Sequence, residues 1–274
     1  MKDRVQKLQA LLKSAQTGGC PLGMALSLAS SPILEIAGKF GFDWLLIDQE
    51  HTLIQGNTQL ADLARAAELS GMPWFVKVTQ ADEHLNHVYF RDAMDTGAWG
   101  VMLPHVRTAK QLKDMIHWSK FPPKGVRGGC SLSRVNWFTG GRYTESTRKP
   151  IEEYMEFVNE HMFIIPTIEN VLGIEHLDEI LDVPGYDIIH IGIEDIWISA
   201  TQGKDLPKAF EIAESVAKRI QAAGKVPMMF VRPEAADRIS EEKLMLYVPD
   251  SWCMAYGFQQ AVRHNRERRE GFKK

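Results

Sequence analysis

"DWLLIDQEHT" (Asp43–Thr52) changes character halfway along. Trp44, Leu45, Leu46 and Ile47 form a continuous apolar run with no polar alternation, the pattern of a strand covered on both faces. Asp48, Gln49, Glu50 and His51 then bring two carboxylates, an amide and an imidazole into consecutive positions. A strand buried on both faces belongs to a mostly parallel sheet wrapped in helices. The carboxyl ends of such strands are where these folds gather their chemistry.

The same kind of run recurs along the chain, bounded by turn residues. "GMALSL" (Gly23–Leu28) precedes it, and "WFVKV" (Trp74–Val78) and "WGVMLP" (Trp99–Pro104) follow. Next come "MFIIPTIE" (Met162–Glu169), "DIIHIGIED" (Asp187–Asp195), "VPMMFV" (Val226–Val231) and "LMLYVPD" (Leu244–Asp250). Helical patterns lie between them. "SPILEIAGKFG" opens with Ser31 as its expected N-cap and Pro32 at the first helical position, and it stops at a glycine. "NTQLADLARAAELSG" and "PKAFEIAESVAKRIQAAG" also space their apolar residues at helical intervals and end on glycine. Eight buried strands alternating with helices predict a (β/α)8 TIM barrel. A doubly wound open sheet is the alternative, but no glycine-rich dinucleotide fingerprint follows the first strand.

The 274 residues suit one such domain over 1–274, with an N-terminal helix and a barrel core over about 23–250. An extended C-terminal helix and tail are expected over about 251–274. Pro122 to about Glu160 breaks the rhythm as a long connection containing "PPKGVRGGCSLSRVNWFTGGRY". It joins the fourth helix to the fifth strand, so it starts on the face away from the strand ends.

Composition narrows the function. The residues are 45% hydrophobic and 24% charged with a formal net charge of −3, which is ordinary for a large globular core. No long basic stripe is available for phosphates, so no nucleic-acid partner is expected; the basic run "RHNRERREGFKK" is interrupted by acids and reads as a solvated helix end. No apolar run reaches the roughly 18 residues that span a bilayer, so no membrane partner is expected either. "MKDRVQKLQALLKSAQ" lacks the apolar stretch of a secretory signal, and Cys20, Cys130 and Cys253 are odd in number and in no ligand spacing. A reducing, cytoplasmic location follows as the expectation.

The expected strand ends carry a dense polar set. After Asp48–His51 come Lys77 on the third strand and His105 and Arg107 after the fourth. Then follow Glu169, Glu194 with Asp195, Arg232 and Asp250. Glu169 and Asp195 are expected at matching heights on adjacent strands. Two such carboxylates repel unless one is protonated or a cation sits between them. Hard oxygen ligands completed by water and substrate suit Mg²⁺ or Mn²⁺. In the other reading, Glu169 caps the next helix and Asp195 pairs with an arginine. His51 could serve as a general base, since imidazole exchanges protons near neutral pH, or lie idle on the surface. Lys77 lies among Phe75, Val76 and Val78. If it points inward it must meet an anion or lose its proton, serving as a cation for a carboxylate or as a Schiff-base nucleophile.

The ordered segments "GFDWLLIDQEHT", "DTGAWGVMLPHVRTAKQL", "FPPKGVRG", "IPTIEN", "LDEILDVPGYDIIHIGIEDI" and "IQAAGKV" resemble the HpcH/HpaI aldolase family. The similarity runs from about Gly23 to Asp250. The resemblance implies a (β/α)8 barrel assembled as a homo-oligomer, usually a hexamer, whose last helix packs on a neighbouring subunit. It also implies class II aldol chemistry on a small 2-oxo acid, with a divalent cation (Mg²⁺, Mn²⁺ or Co²⁺) binding pyruvate through its carboxylate and keto oxygens. On these motifs Glu169 and Asp195 match the metal ligands, and His51 matches the histidine that handles protons. Asp48 and Glu50 match the acidic pair before it. Asp95, in "MDTGA", matches an aspartate that assists that histidine across a subunit contact, and Gly192 matches the turn cradling the pyruvate carboxylate.

This chain departs from the family around the substrate. Lys77 stands where arginine is usual, which keeps the charge but loses the bidentate fork. Thr167 replaces a glutamine, Gln49 a glycine, and "GIEDIWIS" the usual "GPADLS", which brings in Glu194 and Trp197. The leading expectation is a metal-dependent lyase cleaving a 4-hydroxy-2-oxo acid, with Lys77, Thr167, Gly192, Glu194 and Gln49 around the substrate. Decarboxylation, hydration or hydrolysis on the same metal-enolate platform is one alternative. A catalytically silent barrel acting as a binding subunit is another.

Overall fold

In the computed structural model, which describes residues 1–54, 56–79, 86–130, 132–137, 148–233 and 243–271, all eight apolar runs form strands. They are β1 (Leu22–Leu26), β2 (Trp44–Asp48), β3 (Trp74–Lys77), β4 (Gly100–Leu103), β5 (Phe163–Ile168), β6 (Ile188–Ile191), β7 (Val226–Phe230) and β8 (Met245–Pro249). Each pairs in parallel with the next, and β8 returns to β1, closing the barrel. The helices before β4 are α1 (Lys2–Gln16), α2 (Ser31–Phe40), α3 (Gly56–Ser70) and α4 (Asn86–Asp95). After it come α5 (Ala109–Ser119), α6 (Arg134–Trp137), α7 (Arg148–Glu160), α8 (Val171–Glu175) and α9 (Leu177–Leu181). The last are α10 (Ile193–Thr201), α11 (Leu206–Ala222) and α12 (Asp250–Gly271). Among the described residues, no helix is long and apolar enough to cross a membrane.

Aromatic rings plug the amino-terminal half of the barrel. Trp44 and Phe75 lie 5.5 Å apart between centroids, Phe75 and Phe163 5.7 Å, and Trp44 and Tyr247 6.0 Å. Such contacts add modestly to the burial that dominates the core. The rings need room: a Cβ at Gly100 would sit 2.8 Å from both the Phe75 ring and the Phe163 carbonyl oxygen. With the lower half filled, any site must lie at the carboxyl ends of the strands.

Three sequence expectations are corrected. The N-cap of α2 is Ser30, with Ser31 and Pro32 inside the first turn, where a missing N–H also costs nothing. "DIIHIGIED" is a strand only to Ile191; Gly192 caps α10, so Glu194 and Asp195 lie in a helical first turn rather than on a strand. The Pro122–Glu160 connection holds α6 and α7, and α7 buries Tyr154, Phe157 and Val158 at helical spacing. The glycines and arginines before α7 concealed that period.

Candidate active site

The turn after β2 explains its polar half. Asp48 Oδ1 accepts the Glu50 N–H at 2.7 Å and the His51 N–H at 3.4 Å, while the Asp48 carbonyl accepts the Thr52 hydroxyl. This local cap bends the chain so that Glu50 turns inward and His51 outward. The Gln49 N–H continues the ladder to the Lys77 carbonyl at 2.9 Å, and the Gln49 carbonyl accepts the Thr79 hydroxyl at 3.0 Å. Lys77 is the register partner of Asp48 and points inward, with Nζ 2.5 Å from Glu50 Oε2. Both side chains are buried, at 9% and 2% exposure. His51 is 65% exposed, and its Nε2 lies 3.4 Å from the same oxygen.

Glu169 follows β5. Asn170, not Glu169, caps α8 by accepting the Gly173 N–H at 2.9 Å, so Glu169 is free to face the barrel, where it is buried. Its Oε1 accepts the His105 N–H at 2.6 Å and lies 3.3 Å from His105 Nδ1. His105 Nε2 lies 3.6 Å from Glu50 Oε1. His105 itself sits at φ +53°, a conformation non-glycine residues seldom adopt and one that recurs at functional sites. Gly192 makes room for Glu169: a Cβ there would overlap the carboxylate and lie 2.7 Å from the Glu169 Cβ. One donor atom each from Glu50, His105 and Glu169 fall within 4.8 Å of one another. Asp195 is outside that trio, but its charge reaches both His105 and Glu169.

The other expected residues are more scattered. Thr167 is fully buried and its hydroxyl lies 3.2 Å from His190 Nδ1, while Glu194 is exposed in the first turn of α10. Asp95 ends α4, which runs back toward the opposite end of the barrel, and its carboxylate is 3.0 Å from Arg127 Nη2. Asp250 is structural. It accepts hydrogen bonds from the backbone N–H groups of Ser27 (3.0 Å), Leu28 (3.1 Å) and Ser251 (2.7 Å), tying the end of β8 to the loop after β1. His105 was visible at a strand end, but nothing in the sequence assigned it a partner. His190 and Tyr247 were hidden inside apolar strand patterns.

Charge inside this mouth is heavily perturbed. Burial alone would depress the Lys77 ammonium, but Glu50, Asp48 and Glu169 outweigh it and hold the group above its ordinary range. It is therefore a fixed cation and a poor amine nucleophile. Burial, helped by the charge of Glu50, pushes Glu169 up to about 7 against the opposing effect of Lys77. Burial also lowers His105. Among the described residues, neither oxygen of Glu50 accepts an aligned hydrogen bond; Lys77 is close enough to form an ion pair but does not satisfy that geometry. Two shielded carboxylates and an imidazole whose donor atoms lie this close together fit a divalent cation by donor chemistry and by charge.

The family model described as HpcH/HpaI aldolase/citrate lyase matches residues 22–240. A 2-keto-3-deoxy-L-rhamnonate aldolase of Escherichia coli is 32% identical over 226 residues, 81% of this chain and 79% of that protein. A hydroxypyruvate/pyruvate aldolase of Deinococcus radiodurans is 32% identical over 231 residues, covering 81% and 76%. The crystal structure of a family protein from Burkholderia cenocepacia superposes with a TM-score of 0.79 at 23% identity, covering 94% of this chain and 99% of that one.

Proposed function

The chain belongs to the HpcH/HpaI aldolase/citrate lyase family, and on that premise we propose that it cleaves a 4-hydroxy-2-oxo acid to pyruvate, or a related 2-oxo acid, and an aldehyde. The observation that carries this reading is the meeting of the buried Glu169 and Lys77 with Glu50 and the half-buried His105 at the carboxyl ends of β2 to β5. Glu169 with Asp195 would hold Mg²⁺, Mn²⁺ or Co²⁺, and Glu50 and His105 complete the polar wall around it. When bound, the cation supplies Lewis-acid stabilisation of charge growing on the 2-oxo oxygen.

The protein's own groups do the rest. His51, exposed beside Glu50, takes the proton of the C4 hydroxyl as the C3–C4 bond breaks. Lys77 stays protonated and offers its ammonium to a carboxylate or oxo oxygen, a preorganised charge that needs no reorganisation. Gly192 and the start of α10 receive the substrate carboxylate, and Gln49 and Glu194 border the entrance. Asp95 would reach a histidine only in a neighbouring subunit. Assembly is supported by α12, which leaves Met254, Tyr256, Phe258 and Val262 exposed along its length.

The test needs no knowledge of the acceptor aldehyde. Incubated with pyruvate in deuterium oxide and Mg²⁺ or Mn²⁺, the protein is expected to exchange the methyl protons, and EDTA to stop the exchange. Neither exchange nor pyruvate binding would remove the aldolase reading.

Glu169 also predicts a pH-dependent response to the cation. Its folded-state carboxyl is raised from 4.5 to about 7. Between those values the unfolded chain ionises while the folded one keeps its proton, so the metal-free protein loses stability as pH rises and levels off above about 7. A cation requires the ionised form, so Mn²⁺ should raise Tm more at about pH 8 than at about pH 6. Thermal unfolding with Mn²⁺ and with EDTA at both pH values checks this; an equal rise at both would contradict it.

A further inference from the structure

Three side chains cross the barrel interior just beneath the mouth. Thr167 on β5 and His190 on β6 are register partners, and Tyr247 lies on β8. Thr167 and His190 are buried, at 0% and 3% exposure. Thr167 Oγ1 lies 3.2 Å from His190 Nδ1, and His190 Nε2 lies 2.9 Å from the Tyr247 hydroxyl oxygen. Burial pushes His190 well below its ordinary range, with Lys77 adding to the effect, so the ring is neutral and carries one N–H.

Hydrogen-bond accounting decides where that proton sits. Among the described residues, the Thr167 hydroxyl has no acceptor other than His190 Nδ1. The mirror arrangement, with Tyr247 donating to Nε2 and Nδ1–H donating to Thr167, would strand the proton of the fully buried Thr167. Tyr247 is only partly buried, so the surplus O–H falls to Tyr247 and Thr167 donates to Nδ1. The ring proton is then on Nε2 and is donated to the Tyr247 oxygen. Tyr247 makes no other side-chain hydrogen bond among the described residues, so its own O–H is left as a free donor. The charges of Lys77, Asp48, Glu169 and Glu194 all reach this hydroxyl, which places it against the mouth.

We propose that Thr167 and His190 form a relay of fixed polarity that aims the Tyr247 O–H at an anionic oxygen of the bound 2-oxo acid, making Tyr247 a substrate-binding residue and His190 a positioning residue. The identity of the ligand rests on the aldolase reading; the polarity of the relay does not. The protons of Thr167 and His190 each have one acceptor, and the surplus Tyr247 O–H is the one on the partly exposed side chain.

Two measurements separate these parts. In the metal-free protein, ¹⁵N NMR of His190 should show the Nε2–H form; an Nδ1–H ring would overturn the relay whatever the protein catalyses. In the Mn²⁺-loaded protein, calorimetry with pyruvate and with oxalate should show Tyr247→Phe weakening binding by about 10- to 100-fold, the worth of a hydrogen bond to a charged group. His190→Phe should lose a comparable factor, and the double variant no more than either alone. His190→Gln, which retains an amide donor, should recover most of it. Wild-type binding with an unchanged Tyr247→Phe overturns the role of Tyr247. If the wild type binds neither probe, the aldolase reading falls and takes the assigned ligand with it, while the ring-proton result stands.

Discussion

Glu169→Gln is expected to abolish uptake of the divalent cation and to lower kcat/KM by about a thousandfold or more, the scale of losing charge stabilisation at a developing oxyanion. The substitution keeps the shape of the side chain, and the amide oxygen can still accept the His105 N–H that Oε1 accepts at 2.6 Å. It removes only the carboxylate that burial already disfavours. The metal-free variant should therefore be at least as stable as the wild type at about pH 8, where the wild-type group is forced to ionise in a buried place. Metal analysis after dialysis, steady-state kinetics and thermal unfolding in EDTA give three separate readings. A folded variant that keeps its metal and its activity would show that the cation is held elsewhere.

Lys77→Met is expected to cost about 3–5 kcal/mol, because it removes one partner of a buried pair and leaves the Glu50 charge without compensation. The pair is 2.5 Å apart, and both side chains are nearly closed to solvent, so screening by water does little to soften the loss. Replacing both partners, as Lys77→Met with Glu50→Gln, should recover much of the loss, since paired buried charges are often matched by neutral groups of similar volume. Urea unfolding of the two single variants and the double variant in EDTA measures the coupling. Additive costs would show that the two side chains do not act as a pair. Activity should fall in Lys77→Met even where the fold survives, because no fixed cation remains to meet the substrate anion.

Much of this site is legible in the order of residues alone. Asp48, Glu50, His51, Lys77 and Glu169 each follow or end an apolar run, and strand ends are where a barrel places its chemistry. Their division of labour is not legible there. Asp48 and Glu50 are two residues apart and chemically alike, yet one carboxylate shapes a turn and the other is buried against a lysine. Asp195 is expected on a strand beside Glu169, but the glycine cap at Gly192 begins a helix before it.

The sequence by itself determined the number, order and parallel sense of the strands, because uninterrupted apolar runs separated by capped amphipathic segments have few ways to be buried. It also determined that the strand ends are polar, since those residues follow the runs directly. Only the tertiary structure decided which polar groups meet. His105 finds Glu169 across 64 positions of chain, Lys77 finds Glu50 across the β2–β3 register, and Thr167, His190 and Tyr247 line up across the barrel interior. Such contacts depend on strand register and barrel closure, which bring residues together irrespective of their spacing in the sequence.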